Sequence, residues 1–235
     1  MRYPLPRHQI PLSLKEIQLI LSSQVNTPAS ESISELEEGL ERYFGARHAI
    51  ALSSGRLSLF LSLKAIGITE NSTVILPSYC FYTLVEVVRS IGANIIWGQI
   101  SPQTFALDID FVTENIHQTD VIIFIQPFGQ VIDLRELRNI CDQNQVALIE
   151  DASQSTGASI SSIYAGTMGH IGVFSLVKAK NLQAFGGGFI LTDNSDWAVT
   201  IKKQLSPNQK SGRKALRFGA LSSLLTTKKL FSLSL

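Results

Sequence analysis

Apolar residues fall into two rhythms along this 235-residue chain. Short runs with little polar alternation stand at Ala49–Leu52, Thr73–Leu76, Asn94–Trp97, Val121–Ile125, Val146–Ile149, Val173–Leu176 and Phe189–Thr192. Runs of this length and character predict strands, and the wholly apolar ones predict burial on both faces. Between them the apolar positions recur at helical spacing. Leu57, Phe60 and Leu61 lead to a stop near Gly67, and Leu84, Val87, Val88 and Ile91 to one at Gly92. Further helices are predicted over Asp108–His117, about Asp133–Asn144 (Leu134, Leu137, Ile140 and Cys141 inward) and Ser195–Gln204 (Trp197, Ala198 and Ile201 on one face). Two helices precede the first strand. One opens at a capping box, Ser13-Leu14-Lys15-Glu16, and the other covers Ser32–Phe44 with Gly45 as its stop. The small-residue runs Thr156–Ser162 and Ala165–Gly169 suit hairpin turns. Strand and helix alternate from Ala49 to Glu150, which predicts an α/β fold: a mostly parallel sheet covered by helices on both sides.

Composition narrows the class without naming a function. With 45% hydrophobic and 17% charged residues the chain can bury a sizeable core, which argues against disorder. A net charge of +1 gives no electrostatic reason to expect nucleic acid. The two cysteines, Cys80 and Cys141, lack CxxC or His-rich surroundings, so neither a metal site nor a structural disulfide is predicted. His170 has no second ligand at metal spacing. The N-terminus shows no apolar signal core, and no 18-residue apolar run predicts a membrane span, so a cytoplasmic protein with reduced thiols is expected.

The chemistry concentrates between Val146 and Gly188. Asp151 falls where the Val146–Ile149 run ends, and ligands of open α/β sheets bind beyond the carboxyl ends of strands. Lys180 follows 29 residues later, in a polar stretch before Gly186-Gly187-Gly188. A carboxylate at a strand end and a lysine before a glycine turn suggest pyridoxal 5'-phosphate (PLP), which needs a lysine for its Schiff base and an acid against its pyridinium nitrogen. Earlier in the chain, Ser53-Ser54-Gly55-Arg56 stands between a strand and a helix, where free backbone N–H groups can hold a phosphate. The same turn also reads as an ordinary helix cap.

The run E-D-A-S-Q (Glu150–Gln154), then G-H-I-G-V-F-S-L-V-K-A-K-N-L (Gly169–Leu182), then the glycine triplet resembles the DegT/DnrJ/StrS family of sugar aminotransferases, fold-type-I PLP enzymes. The resemblance covers roughly Tyr43 to Leu205. It implies that Lys180 carries the cofactor, and that Asp151 keeps the pyridine nitrogen protonated. It implies further that Gln154 touches the 3-oxygen side of the ring, that Ser175 donates to the phosphate, and that Phe81 lies against the ring, with Tyr79 and Tyr82 as less certain neighbours. Ser54, Gly55 and Arg56 stand where the family reads Ser-Gly-Thr at the phosphate. Arg56 loses the threonine hydroxyl; it either forks onto the phosphate or points to solvent. Lys178 is a rival to Lys180, but the four-residue gap from Ser175 favours Lys180. His170 replaces a common family aspartate. The glycine triplet is expected to let the backbone pass close to the cofactor or a neighbouring subunit.

Three segments are expected: N-terminal helices packed on the large domain (1–45), a PLP-binding large domain (46–205), and a basic-apolar tail (206–235). Ser206–Leu235 holds six cations and no acid. The family's small C-terminal domain is missing, so the tail reads as the start of a truncated domain, a peripheral membrane helix, or a segment docking on a missing half. The activity implied is transfer of an amino group from an amino acid, glutamate above all, to a keto sugar carried on a nucleotide, by a homodimer. A catalytically silent binding or regulatory protein and a PLP-dependent sugar dehydratase are the alternatives. Dehydratases that replace the lysine by histidine are disfavoured by Lys180.

Overall fold

The computed structural model describes Gln18 and residues 29–177, 180–184 and 186–205. The capping box at Ser13, the tail from Ser206, and Lys178 lie outside them. Helix α1 (Ala29–Phe44) leads to β1 (His48–Leu52), α2 (Gly55–Ile66), β2 (Thr73–Pro77), α3 (Tyr82–Ile91) and β3 (Asn94–Gly98). Then come α4 (Ile109–Asn115), β4 (Val121–Ile125), α5 (Arg135–Gln143), β5 (Ala147–Asp151), the two-residue strands β6 (Ser159–Ile160) and β7 (Ile163–Tyr164), β8 (Ile171–Ser175), β9 (Gly188–Thr192) and α6 (Ser195–Lys203). The expected hairpin is β6–β7. It turns through Ser161 and Ser162 at positive φ, where no glycine signalled it.

Seven strands form one sheet in the order β1-β9-β8-β5-β4-β2-β3. β9 pairs antiparallel with both neighbours, so it alone runs against the rest. Side chains of a strand alternate between faces, so each buried strand feeds two cores. Val74, Leu76, Ile123, Ile149, Ile171 and Ile190 pack with Leu59 and Leu63 of α2, Val88 of α3 and Ile201 of α6. On the other face Ile75, Ile122, Phe124 and Leu148 meet Val112 of α4 and Leu134, Leu137 and Cys141 of the α5 region. Leu40 and Phe44 of α1 cover Phe174, Phe189 and Leu191, and the Phe174 and Phe189 rings stack at 4.1 Å.

Two details of this packing set the site. Ser54 caps α2 by accepting the Leu57 N–H at 3.2 Å, and Gly67 ends it in the left-handed conformation. Glycines then bring that capped end against the sheet. A Cβ on Gly188 would lie 2.6 Å from both Gly55 N and Phe174 O, and one on Gly55 would lie 2.8 Å from Ser175 Cβ. Within the triplet, therefore, Gly188 makes the close approach, and the neighbour it admits is the chain's own α2. Gly186 and Gly187 supply positive φ instead.

Candidate active site

The carboxyl ends of β1, β2, β4, β5 and β8 surround a cavity of about 490 Å³. Its lining includes every residue expected from the sequence: Ser54, Gly55, Arg56, Phe81, Asp151, Gln154, Ser175 and Lys180. They arrive from five separate segments, and the parallel topology brings those segments to one edge. Tyr79 and Tyr82 line it too.

Period two along β5 separates its two carboxylates. Glu150 points to the α4–α5 side and is wholly buried, yet it accepts from Gln126 Nε2 (2.8 Å), Met168 N–H (2.9 Å) and Gly169 N–H (3.0 Å). Asp151 faces the cavity and is also buried, but Ser153 alone meets it among the described residues, with its N–H at 2.9 Å from Oδ1. Burial pushes the Asp151 carboxyl above its ordinary value, against the opposing pull of Ser153 and the Lys180 charge. A buried acid without a contacting cation suits a ligand that brings a proton or positive charge to it.

The other polar groups are similarly uncommitted. Arg56 is exposed, has no acid in the first turn of α2, and makes no ion pair among the described residues. Its backbone N–H has no acceptor there either, beside the positive end of the helix dipole. Gln154 Oε1 accepts the Phe128 N–H at 3.1 Å, so its amide nitrogen is the end left to donate. Phe81 starts α3 in extended geometry with no cap of its own, and its ring is 63% exposed, tilted against Tyr82 at 4.8 Å.

The structure adds residues that sequence reasoning passed over. Cys80, Thr83, Leu84 and Ser153 also line the cavity. Cys80 is a half-buried free thiol raised above its usual range, by burial first and then by Asp151, so it is a poor nucleophile. Its place between Tyr79 and Phe81 was the signal available for it. His170 lies at the opposite end of the sheet, in a second cavity.

The fold defines the class, a fold-type-I large domain, and Lys180 and Asp151 line one cavity at the carboxyl ends of its strands. The chain belongs to the DegT/DnrJ/EryC1/StrS aminotransferase family, whose profile matches residues 10–219. GDP-perosamine synthase of Vibrio cholerae is 27% identical over 176 residues, covering 73% of this chain and 48% of that protein. DesI, solved in the presence of its TDP-sugar product, superposes with a TM-score of 0.78 at 26% identity, over 95% of this chain and 61% of DesI. The E. coli GDP-4-keto-6-deoxy-D-mannose-3-dehydratase, solved with bound hydrated PLP, shares the fold (TM-score 0.74, 20% identity, 94% of this chain and 69% of that one). The chain spans about half the length of the curated relatives it matches.

Proposed function

We propose that this chain supplies the cofactor-binding part of a PLP-dependent aminotransferase that moves an amino group from an amino acid, glutamate in our reading, onto a keto sugar linked to a nucleotide. The observation that carries the proposal is the convergence of Lys180 and the buried, under-partnered Asp151 on one cavity with the capped end of α2. When bound, PLP would supply the electron sink that lets an amino acid lose its α-proton. The residues present fit it. Asp151 would hold the proton of the ring nitrogen, and its burial would strengthen that charge-assisted contact. The Arg56 N–H, the Ser175 hydroxyl and the α2 terminus would take the phosphate. Phe81 would cover one ring face, and the Gln154 amide would donate to the ring oxygen. Lys180 would anchor the cofactor and carry the proton to and from the substrate carbon. Relatives that act on nucleotide sugars support the substrate class, and a homodimer in the cytoplasm completes the reading.

The test is spectroscopic. Purified protein mixed with PLP should develop the visible absorption of lysine-bound cofactor. Lys180→Ala should abolish it, whereas Lys178→Ala should leave it. Glutamate should then bleach the band. A band that forms but responds to no amino donor would favour a silent binding or regulatory protein. Once glutamate has bleached the band, a keto sugar that restores it while losing a hydroxyl, with the nitrogen released as ammonia rather than kept on the sugar, would favour the dehydratase chemistry of the E. coli neighbour.

A further inference from the structure

Beside the cavity mouth stand three aromatic side chains that the proposed chemistry leaves without a task. Tyr79, which lines the cavity, and Phe105 and Phe128 are each about half exposed, at 52%, 47% and 56%. Their ring centroids form a triangle with sides of 5.9, 6.0 and 6.0 Å. Phe105 and Phe128 meet edge to face at 86°, and Tyr79 is tilted by 56° and 42° to them. Perpendicular rings make a corner, which presents a flat wall to a planar group and an edge to its rim.

The backbone holds that corner open at a cost. Phe105 sits at φ 59 and Phe128 at φ 56, a region that bulky residues rarely occupy and that concentrates at functional sites. Both are held rigidly. The loop carrying Phe105 closes through Ser101 N–H to Ala106 O (2.9 Å) and Phe105 N–H to Ser101 O (2.8 Å), beneath a bridge between Ile100 and Leu107. Phe128 gives its N–H to the side chain of Gln154, which ties the corner to the cavity wall.

We propose that Tyr79, Phe105 and Phe128 seat the planar base of the nucleotide that carries the sugar. The inference rests on the proposed function for its choice of a nucleotide-borne substrate. The rings supply stacking faces, while the Tyr79 hydroxyl offers a polar edge for base heteroatoms. The sugar would then extend inward past Tyr79 toward Lys180.

Calorimetric titration of the full chain with UDP, GDP and dTDP, and with inorganic pyrophosphate as the base-free probe, tests this. At least one nucleoside diphosphate should bind about tenfold or more tighter than pyrophosphate. Asparagine tolerates the left-handed region, so Phe105→Asn and Phe128→Asn relieve the backbone. Each should keep or raise the melting temperature, keep pyrophosphate binding, and lower nucleotide affinity by roughly five- to a hundredfold. Nucleotide binding no tighter than that of pyrophosphate, or Asn variants that bind nucleotide like the parent, would overturn the assignment. So would variants that lose a dimer by light scattering while keeping nucleotide affinity, because the rings would then belong to a subunit contact. The PLP spectrum separates the two readings. A band without nucleotide binding sinks the base seat alone, and nucleotide binding without a band sinks the transaminase reading alone.

Discussion

The two ends of the parallel sheet carry cavities of similar size and treat their polar groups in opposite ways. At the amino ends of β2, β4, β5 and β8 a space of about 390 Å³ is lined by Ser72, Asp120, Asp142, His170 and Trp197, among others. Ser72, Asp120, Asp142 and His170 each have a partner within the protein. Asp120 accepts the Thr73 N–H at 2.7 Å, and Ser72 accepts the Thr69 N–H at 3.1 Å. His170 Nδ1 takes the Leu148 N–H at 2.9 Å, which fixes Nε2 as the protonated nitrogen facing Asp142 at 2.7 Å, and Arg138 closes on the same carboxylate. Cys141, beside them, is buried with its thiol pushed up to about 12, chiefly by desolvation. At the carboxyl ends Arg56, Lys180 and one oxygen of Asp151 find no such partners among the described residues. A cluster of ionisable groups is structural when its members satisfy one another, and is a candidate for ligand chemistry when they do not.

Asp151→Asn breaks the comparison most sharply. The carboxylate's proposed task is to hold a ring proton, so turnover and PLP affinity should fall, turnover by on the order of a hundredfold. Stability of the cofactor-free protein should move the other way. The folded protein holds the Asp151 proton more tightly than the unfolded chain does. Its contribution therefore grows as pH falls through the raised folded value toward the ordinary carboxylate range, and is unfavourable above it. Asparagine removes that penalty, so the midpoint of urea unfolding at neutral pH should stay or rise. A variant that unfolds more easily at pH 7 would show that Asp151 serves the fold.

A smaller effect is expected at Gly188→Ala, which tests whether α2 must lie this close. The added methyl meets backbone atoms of Gly55, Phe174 and Ser54 at 2.6–2.7 Å, and no rotamer change can relieve that. The cost should be about 1–3 kcal/mol in urea unfolding. Displacement of the α2 terminus should also weaken PLP binding, read from the absorption titration. Loss of stability with unchanged PLP affinity would separate the helix end from the phosphate.

Much of this was legible in the sequence, for a physical reason. Strands buried on both faces cannot alternate, so Val121–Ile125 announced itself to the residue. The carboxyl-end rule then placed Asp151 at the last position of β5. Helix ends were less visible. Asp133–Asn144 shortened to Arg135–Gln143, because Asp133 binds Arg135 ahead of the helix rather than joining it. What the sequence hid was partnership. Nothing in E-D distinguishes a saturated Glu150 from an under-partnered Asp151, since donors such as Met168 N–H and Gln126 come from distant segments. The positive φ of Phe105 and Phe128 was equally silent, because glycine is the usual sign of that conformation and neither residue is one.

The mildest prediction concerns the amino end, where disruption should cost stability and leave chemistry alone. His170 is held below its ordinary value, first by burial and then by Arg138, although Asp142 pulls the other way. Its geometry agrees, since a proton on Nδ1 would oppose the Leu148 N–H. The unfolded chain thus takes up a proton below about pH 6.5 that the folded one resists. Asp142 acts in the same direction. Desolvation alone would raise it, but the hydrogen bonds from Arg138 and His170 outweigh that and hold it low. Stability from this cluster is therefore present near neutrality and lost on acidification, opposite in sign to Asp151. His170→Ala orphans the Leu148 N–H and should cost about 1–3 kcal/mol at pH 7.5. The gap from the parent should narrow toward pH 5 in urea titrations, with the PLP spectrum of both proteins the same at pH 7.5. A spectrum altered by His170→Ala would mean that the two ends of the sheet are coupled, and that satisfied partners do not mark a region as structural in this protein.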